Sequence, residues 1–560
     1  MKLKYKLTYL LLSALILGSC NDFLDTRIDT NMTPEDLETN RGTLWGFATA
    51  FYTPITYGFQ ILDDNIFAAA TDEAQQTSAS GNVYYFTKGI INADVNPLSN
   101  LYREYYEGIR AANYFVEYAK DGEKLLALNR DTVREVLNYR RDLRRLKWYR
   151  AESQIAKAYY YAELIKMYGG VPIVETTSSD KKNQSAGKLP RAAYDDVVNL
   201  IVKLIDDNWQ NLQDNWRTED GLANMTGLFD QSVALAIKSR ALLYAASPLN
   251  NPSGDIAKWQ KAAQAAHDLI VLNHYTMPEN RDYRELFVGN NPIQSEEVIF
   301  AIRRPDNNSM ELNNYPISTP GGRSGATPSH NLVSAYEYIG TPDPVNPYAN
   351  RDPRLNASVV VNGSQWNGRK IDQSPGGSDD MNKANTSKTG YYLKKFLTDE
   401  LNLVQEAETQ HQWVVFRYAE IFLNYAEAMN EAYGPDALPA GFTLTAVEAL
   451  NQVRRSASTS LPEVVTADKD EFRKAVKHER RIELAFEDHR YWDLLRWKDA
   501  MTVLNQPVTG VKVTKDNADE YQYQVVNVGE RVFMERNYRF PFTRNEIRNS
   551  NGTMTQNEGY

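Results

Sequence analysis

The stretch HERRIELAFEDHRYWDLLRW, residues 478–497, decides how the rest of the chain is read. Its apolar residues Ile482, Ala485, Phe486, Trp492 and Leu495 recur at spacings of three and four, the mark of one buried helix face. Glu479, Glu483 and Glu487 follow one another at i,i+4 on another face, where like charges repel. Such a row is at ease in water, or packed where arginines from a neighbouring helix meet it. Arg417, Arg454 and Arg455 lie on other helical segments and are the expected partners. The row therefore reads as a charged edge of a core helix rather than an acidic catalytic row, and Trp492 and Trp497 read as core or interface.

Helical periodicity extends outward from this block. It predicts helices at about 41–57, 60–70, 101–120, 132–168, 191–212, 230–246, 256–272, 413–432, 443–456 and 470–500. Small residues where helices would cross, such as Ala151, Ala156, Ala158 and Ala162, suggest stacked helical hairpins of the tetratricopeptide type. The fold class is mostly α: a helical repeat scaffold with a loop-rich insertion and short β-hairpins. Strand-like pieces are expected at 298–303, 355–361, 508–515 and 521–528. Residues 71–100, 305–328 and 373–389 read as loops, the second and third exposed and the third flexible on composition.

At the start of the chain, Lys2, Lys4 and Lys6 precede an apolar run from Leu7 to Leu17 that is too short to span a bilayer. Leu17-Gly18-Ser19-Cys20 follows, and Cys20 is the only cysteine. Small residues before a lone cysteine resemble a bacterial lipobox, so residues 1–19 read as a signal peptide, Cys20 as the lipidation site and 20–40 as a tether. A single cysteine excludes an intrachain disulfide or a CxxC site. The formal net charge of −10 argues against sequence-independent nucleic-acid binding.

Catalytic motifs are sparse. His478-Glu479 lacks the second histidine of HExxH, residues 363–370 offer Arg369 and Lys370 where a P-loop needs Lys and Ser or Thr, and 321–325 is not GxSxG. Asp63-Asp64, Asp72-Glu73 and Asp379-Asp380 could each supply half of a glycosidase pair, but acidic doublets are more often solvated loops or helix caps. The expectation is no catalytic residue, no metal and no cofactor. Binding has more support, because a sugar needs flat rings for its C–H face and amides or guanidinium groups for its hydroxyls. The candidates are Asn82, Tyr84, Tyr85 and Phe86 in the first loop, Asn313, Asn314, Tyr315 and Arg323 in the second, and Trp366 in the insertion.

Several ordered blocks carry a resemblance. They are CNDFLD at 20–25, RAESQIAKAYYYAELIKMYGGVPIV at 150–174, KSRALLYAASPLNNP at 238–252, SHNLVSAYE at 329–337, NPYANRDPRL at 346–355, FRYAEIFLNYAEAMNEA at 416–432, the 478–497 block and the closing QNEGY at 556–560. Together they resemble the SusD/RagB-like outer-membrane nutrient-binding lipoproteins across nearly the whole mature chain. The resemblance implies one SusD-like domain over 41–560, divided into helical parts at 41–272 and 391–560 and a variable insertion at 273–390. It implies a non-catalytic lipoprotein of the outer membrane, lipid-anchored and facing the cell exterior. Such a protein captures a glycan and passes it to a SusC-like TonB-dependent transporter. Two alternatives stay open: the same architecture serving peptides or another nutrient, or a tetratricopeptide scaffold that binds proteins only.

Overall fold

The computed structural model describes residues 41–78, 80–128, 130–177, 189–217 and 227–560. The signal peptide, Cys20 and the tether lie outside them. Most predicted helices form with small shifts at their ends: Ser99–Tyr118, Val136–Tyr168, Tyr194–Asp206, Gln231–Ala246, Ile256–Ile270, Tyr418–Tyr433, Ala446–Ala457 and Lys469–Glu483. Each packs against the next, so the scaffold is a stack of helical hairpins. The stack is not broken by the insertion, because helix 256–270 packs directly on helix 418–433. Everything between them is looped out from one joint of a continuous scaffold.

Local chemistry explains several of these helices. Asp230 and Asp468 accept backbone N–H groups at their helix starts, and Thr445 with Glu448 forms a reciprocal capping box. Helices 99–118 and 136–168 approach closely at Gly108, where an added Cβ would lie 2.2 Å from the Tyr160 ring. Most buried apolar residues among those described form one cluster, from Leu44 to Met554.

Five short two-stranded sheets decorate the scaffold. The strands are β1 (Ala74–Gln76), β2 (Val298–Arg303), β3 (Ala326–Pro328), β4 (Val359–Val361), β5 (Gln365–Trp366), β6 (Arg369–Lys370), β7 (Tyr391–Leu393), β8 (Gln412–Arg417), β9 (Val508–Lys515) and β10 (Tyr521–Gly529). The predicted β9–β10 hairpin forms, pairing Tyr521 with Lys515. Several predicted elements differ, among them the helix expected at 60–70, which is a tight turn at 62–65 followed by the short 3-10 helix Phe67–Ala70. Residues 355–361 begin as helix Pro353–Ser358, capped by Asp352, and only Val359–Val361 is strand. Residues 412–417 form β8 before the helix at 418, because they pair with β2. Residues 373–389 are exposed in part, at Pro375, Gly376, Ser378, Lys388 and 382–385, but are anchored by Gln373, Asp379, Thr386, Ser387 and Thr389, which are buried. Lys383 and Lys388 fold back onto nearby carbonyls there.

The 478–497 block is two helices, not one. The first ends at Glu483, and the second, Arg490–Arg496, starts after a turn in which Phe486 (φ 68°) and Asp488 (φ 63°) are left-handed. The acidic row nevertheless meets arginines, all of it buried. Arg417 bonds Glu483 and Glu487, with Glu487 at 2.6 Å. Arg454 bonds Glu479 at 2.8 Å. Arg455 turns instead to Glu463 near the surface. Two cations come from the 273–390 insertion, Arg281 on Glu483 and Arg354 on Glu479 and Glu483, and Lys395 just beyond it meets Glu487 at 2.7 Å. Glu297 and Asp352 bring further negative charge, so five carboxylates face five cations. Burial penalises every one of these ions, and only mutual pairing in a dry interior offsets that cost. The network clamps the insertion to the C-terminal helices.

Candidate functional site

The two loop regions singled out in the sequence, 71–100 and 305–328, meet. Strand β1 pairs antiparallel with β3, aligning Ala74 with Pro328 and Gln76 with Ala326. Beside this pair lies a tight turn, Leu62–Asn65, in which Asp63 and Asp64 are both left-handed. Left-handed backbone suits Asp, whose short side chain can bond locally. The Asp63 carboxylate accepts the N–H groups of Asn82 and Val83 at 3.0 Å each. The Asp64 carbonyl accepts from the Asn313 amide at 2.9 Å. Asn65 and Asn314 pair amide to amide at 2.9 and 3.0 Å. One turn thus fastens both candidate loops along a common edge.

The first loop contains the short helix Val83–Thr87. Val83 and Phe86, three residues apart, face inward, which leaves Asn82 and Tyr84 outside and Tyr85 half-buried. Tyr84 is 44% exposed, and its ring meets Tyr85 edge-on at 6.3 Å. Phe86 belongs to the core, with Phe67 at 5.0 Å and Tyr491 at 5.9 Å. From the second loop, Arg323 is exposed and Asn313 half-buried, 3.4 Å apart. Asn314 is fully buried. Tyr315 is buried too: its hydroxyl donates to the Thr398 carbonyl and accepts from the Leu401 N–H at 3.2 Å, and burial pushes its pKa up.

Trp366 sits on the β5–β6 hairpin, whose Asn367-Gly368 turn has φ 50° and 68°, as a two-residue hairpin requires. The ring is only 4% exposed. It stands edge-on to Tyr315 at 6.0 Å, with the Arg284 guanidinium 5.6 Å and the Lys394 ammonium 5.9 Å from its centre. Arg369, on the same hairpin, donates to the Ser318 carbonyl. The Trp366 Nε1 donor and the Ser318 hydroxyl are buried without a hydrogen-bond partner. Unpaired buried donors of this kind are rare and call for an ordered water or a ligand atom.

Of the nine candidates, Asn82, Tyr84, Tyr85, Asn313 and Arg323 therefore share an accessible edge, whereas Phe86, Asn314, Tyr315 and Trp366 lie beneath it. The exposed edge combines a ring face, an amide and a guanidinium group. Sequence reading missed the turn that joins the loops, because Asp63-Asp64 drew notice only as a catalytic doublet. It also missed Arg284 and Lys394 against Trp366, which no local pattern reveals.

The acidic doublets are otherwise engaged. Asp63 caps the 83–87 helix. Burial alone would raise the Asp72 carboxyl, but Arg490 at 2.8 Å and Arg481 at 2.7 Å hold it well below the usual carboxylate range. Burial, with the Asp72 charge beside it, pushes Glu73 up to about 8. This doublet is not a solvated loop: it ties residues 72–73 to the 478–497 block. Asp379 is buried and accepts from Ser378 and Tyr392, while Asp380 accepts N–H groups of Gly376 and Asn382.

Comparison with known proteins follows these lines. A model described as SusD family matches residues 296–560, and one described as starch-binding, associating with outer membrane, matches residues 22–243. A SusD-like protein of Formosa agariphila is 24% identical over 90% of this chain and 93% of its own length. A SusD-like protein of Bacteroides fragilis superposes with a TM-score of 0.75 at 22% identity, covering 94% of this chain and 98% of that one. A second structure from that organism, described as a SusD-like carbohydrate binding protein, gives 0.72 at 22% identity, covering 92% and 99%. At these identities the structural likeness shows the fold: a mostly helical SusD-like architecture.

Proposed function

This chain belongs to the SusD family, and from that premise we propose that it is a glycan-binding lipoprotein of the outer membrane that captures oligo- or polysaccharide without catalysis. The observation that carries the reading is the shared edge of Tyr84, Asn82 and Arg323. A half-exposed phenol ring presents an apolar face for C–H groups, and the amide and guanidinium supply donors for hydroxyls. Relatives described as starch-binding or carbohydrate binding point to the same ligand class. Residues 41–560 serve as one SusD-like domain, with the 273–390 insertion supplying half of the edge. Cys20 carries the lipid, the domain faces the cell exterior, and the captured glycan passes to a SusC-like TonB-dependent transporter. The non-catalytic reading draws support from the acidic doublets, in which Asp63, Asp72, Asp379 and Asp380 already hold arginines, hydroxyls or backbone N–H groups.

Protein from Asn21 onward keeps every described core residue. Such protein is to be passed over immobilised polysaccharides, with Tyr84→Ala/Tyr85→Ala beside it. Retention by a polysaccharide, lost in the double variant at an unchanged melting temperature, is the expected result. Retention that ignores both rings would remove this edge as the site. Binding of peptides with no retention on any glycan would move the same fold to a different nutrient.

A further inference from the structure

Residues 124–150 run against the charge of the whole protein, with nine Lys and Arg against three acids in a chain of net charge −10. Those three acids are spoken for: Asp142 and Glu135 bond Arg130, and Asp131 caps the N–H groups of Val133 and Arg134. Nearby Glu123 bonds Arg150. Lys124, Arg134, Arg140, Arg141, Arg144 and Lys147 are all exposed. Among the described residues, no acid neutralises Lys124, Arg140, Arg141 or Lys147. Leu137, Arg140, Arg141, Arg144 and Lys147 follow spacings of three and four, which places them along one solvent stripe of helix 136–168. The same end of the molecule exposes Leu128 (73%), Val133 (82%) and Leu137 (77%), far more than isolated apolar residues need to be.

This face lies where the folded chain begins. Helix Arg41–Ala50 sets Trp45 5.8 Å from Tyr149, with the Arg145 guanidinium 5.1 Å from the Trp45 ring. Leu44 joins Tyr118, Leu125 and Leu128 around a groove of ≈ 410 Å³. A chain leading from a lipidated Cys20 therefore enters the fold beside the basic stripe.

We infer that the 124–150 face rests on a membrane surface bearing anionic phosphate headgroups. Six exposed cations match the 4–8 Lys/Arg clusters, roughly, that hold proteins to anionic lipid surfaces. The three protruding aliphatic side chains suit insertion at the headgroup boundary, as in interfacial helices. Protruding aliphatic side chains among the cations, beside the tether, favour a lipid surface over an acidic protein. Contact here fixes the orientation of the domain above its anchor. The inference rests on the lipidated Cys20 for the direction of the membrane alone.

The test is co-sedimentation of protein from Asn21 onward, which lacks the acyl group, with phosphatidylglycerol-containing and with pure phosphatidylcholine vesicles. Anionic vesicles should bind at least about ten-fold more protein, and roughly 0.5 M salt should release it by screening. Arg140→Glu/Arg141→Glu/Lys147→Glu, three exposed changes, should lose that excess while keeping the melting temperature and any glycan retention of the parent. Val133→Ser/Leu137→Ser should weaken it in part. Equal binding to both vesicle types, or full binding by the charge-reversed variant, overturns the inference. Retention on polyglutamate without vesicle binding also overturns it and assigns the face to an acidic polypeptide. Neither result bears on the glycan reading, which the unchanged column retention reports separately.

Discussion

The buried block around Glu479, Glu483 and Glu487 and the exposed edge around Asn82, Tyr84 and Arg323 are both dense in functional groups, yet they differ in what those groups lack. In the block Glu479, Glu483 and Glu487 are buried and each is met by a cation. At the edge the backbone is fully fastened by Asp63, Asp64 and Asn65 while the side chains above it are left open. Richness in charge therefore marks the clamp of the scaffold, and a rigid backbone under unengaged side chains marks the place for a ligand.

The comparison can be broken most forcefully at Glu483, which is met by Arg281, Arg354 and Arg417. Burial opposes its ionisation, yet the three guanidinium groups hold its pKa well below the usual range. Glu483→Gln removes the one charge that all three share and leaves cations desolvated without balance. Loss of one partner of a buried network costs about 3–5 kcal/mol. Urea unfolding should show the midpoint falling by that amount at unchanged slope. A loss under about 1 kcal/mol would mean the insertion is clamped by packing instead.

Glu152 sharpens the contrast from within the core, because it is a buried carboxyl with no cation bonded to it. Burial pushes it up to about 8, against the 2.6 Å hydrogen bond from Tyr52. Its Oε1 has no partner. A carboxyl whose folded pKa is raised binds more protons folded than unfolded, so stability falls as pH climbs from about 4.5 toward about 8 and then levels. Glu152→Gln should remove that fall, gaining on the order of a few kcal/mol over the parent at pH 8 and little at pH 4.5. Melting curves across that range check it; parallel curves for both proteins would show that Glu152 stays ionised in the fold.

What could be read from sequence follows the range of the forces involved. Helices 231–246 and 256–270 were legible because a 3.6-residue pattern is local and their Asp caps stand in the sequence. The Glu row announced a need for arginines, and Arg417 and Arg454 answered it, but Arg281 and Arg354 arrive from the insertion through tertiary packing that no spacing encodes. The break after Glu483 was hidden because left-handed Phe486 and Asp488 carry no glycine to signal them. At the edge, aromatic and amide composition singled out two loops that meet, but not the facing of each side chain. Val83 and Phe86 share an inward face only once 83–87 is helical, and Trp366 is packed against Tyr315, Arg284 and Lys394. The Asp63-Asp64 turn was invisible as a joint, since its partners lie up to 249 positions away.

Tyr84 gives the smallest expected change in stability and the finest test of the distinction. Phe86, two residues on, is wedged among Phe67, Tyr491 and Phe540, whereas Tyr84 meets only Tyr85 among aromatic rings. A surface substitution away from caps and buried partners stays within about 0.5 kcal/mol. Tyr84→Ala should thus leave the urea midpoint nearly unmoved while lowering retention on the polysaccharide that the parent protein binds. The helix beneath it keeps its Asp63 cap, so the lost retention would report the ring alone. A stability loss comparable to a core truncation would mean that Tyr84 holds the loop down, and the open edge would then begin at Arg323 and Asn313 instead.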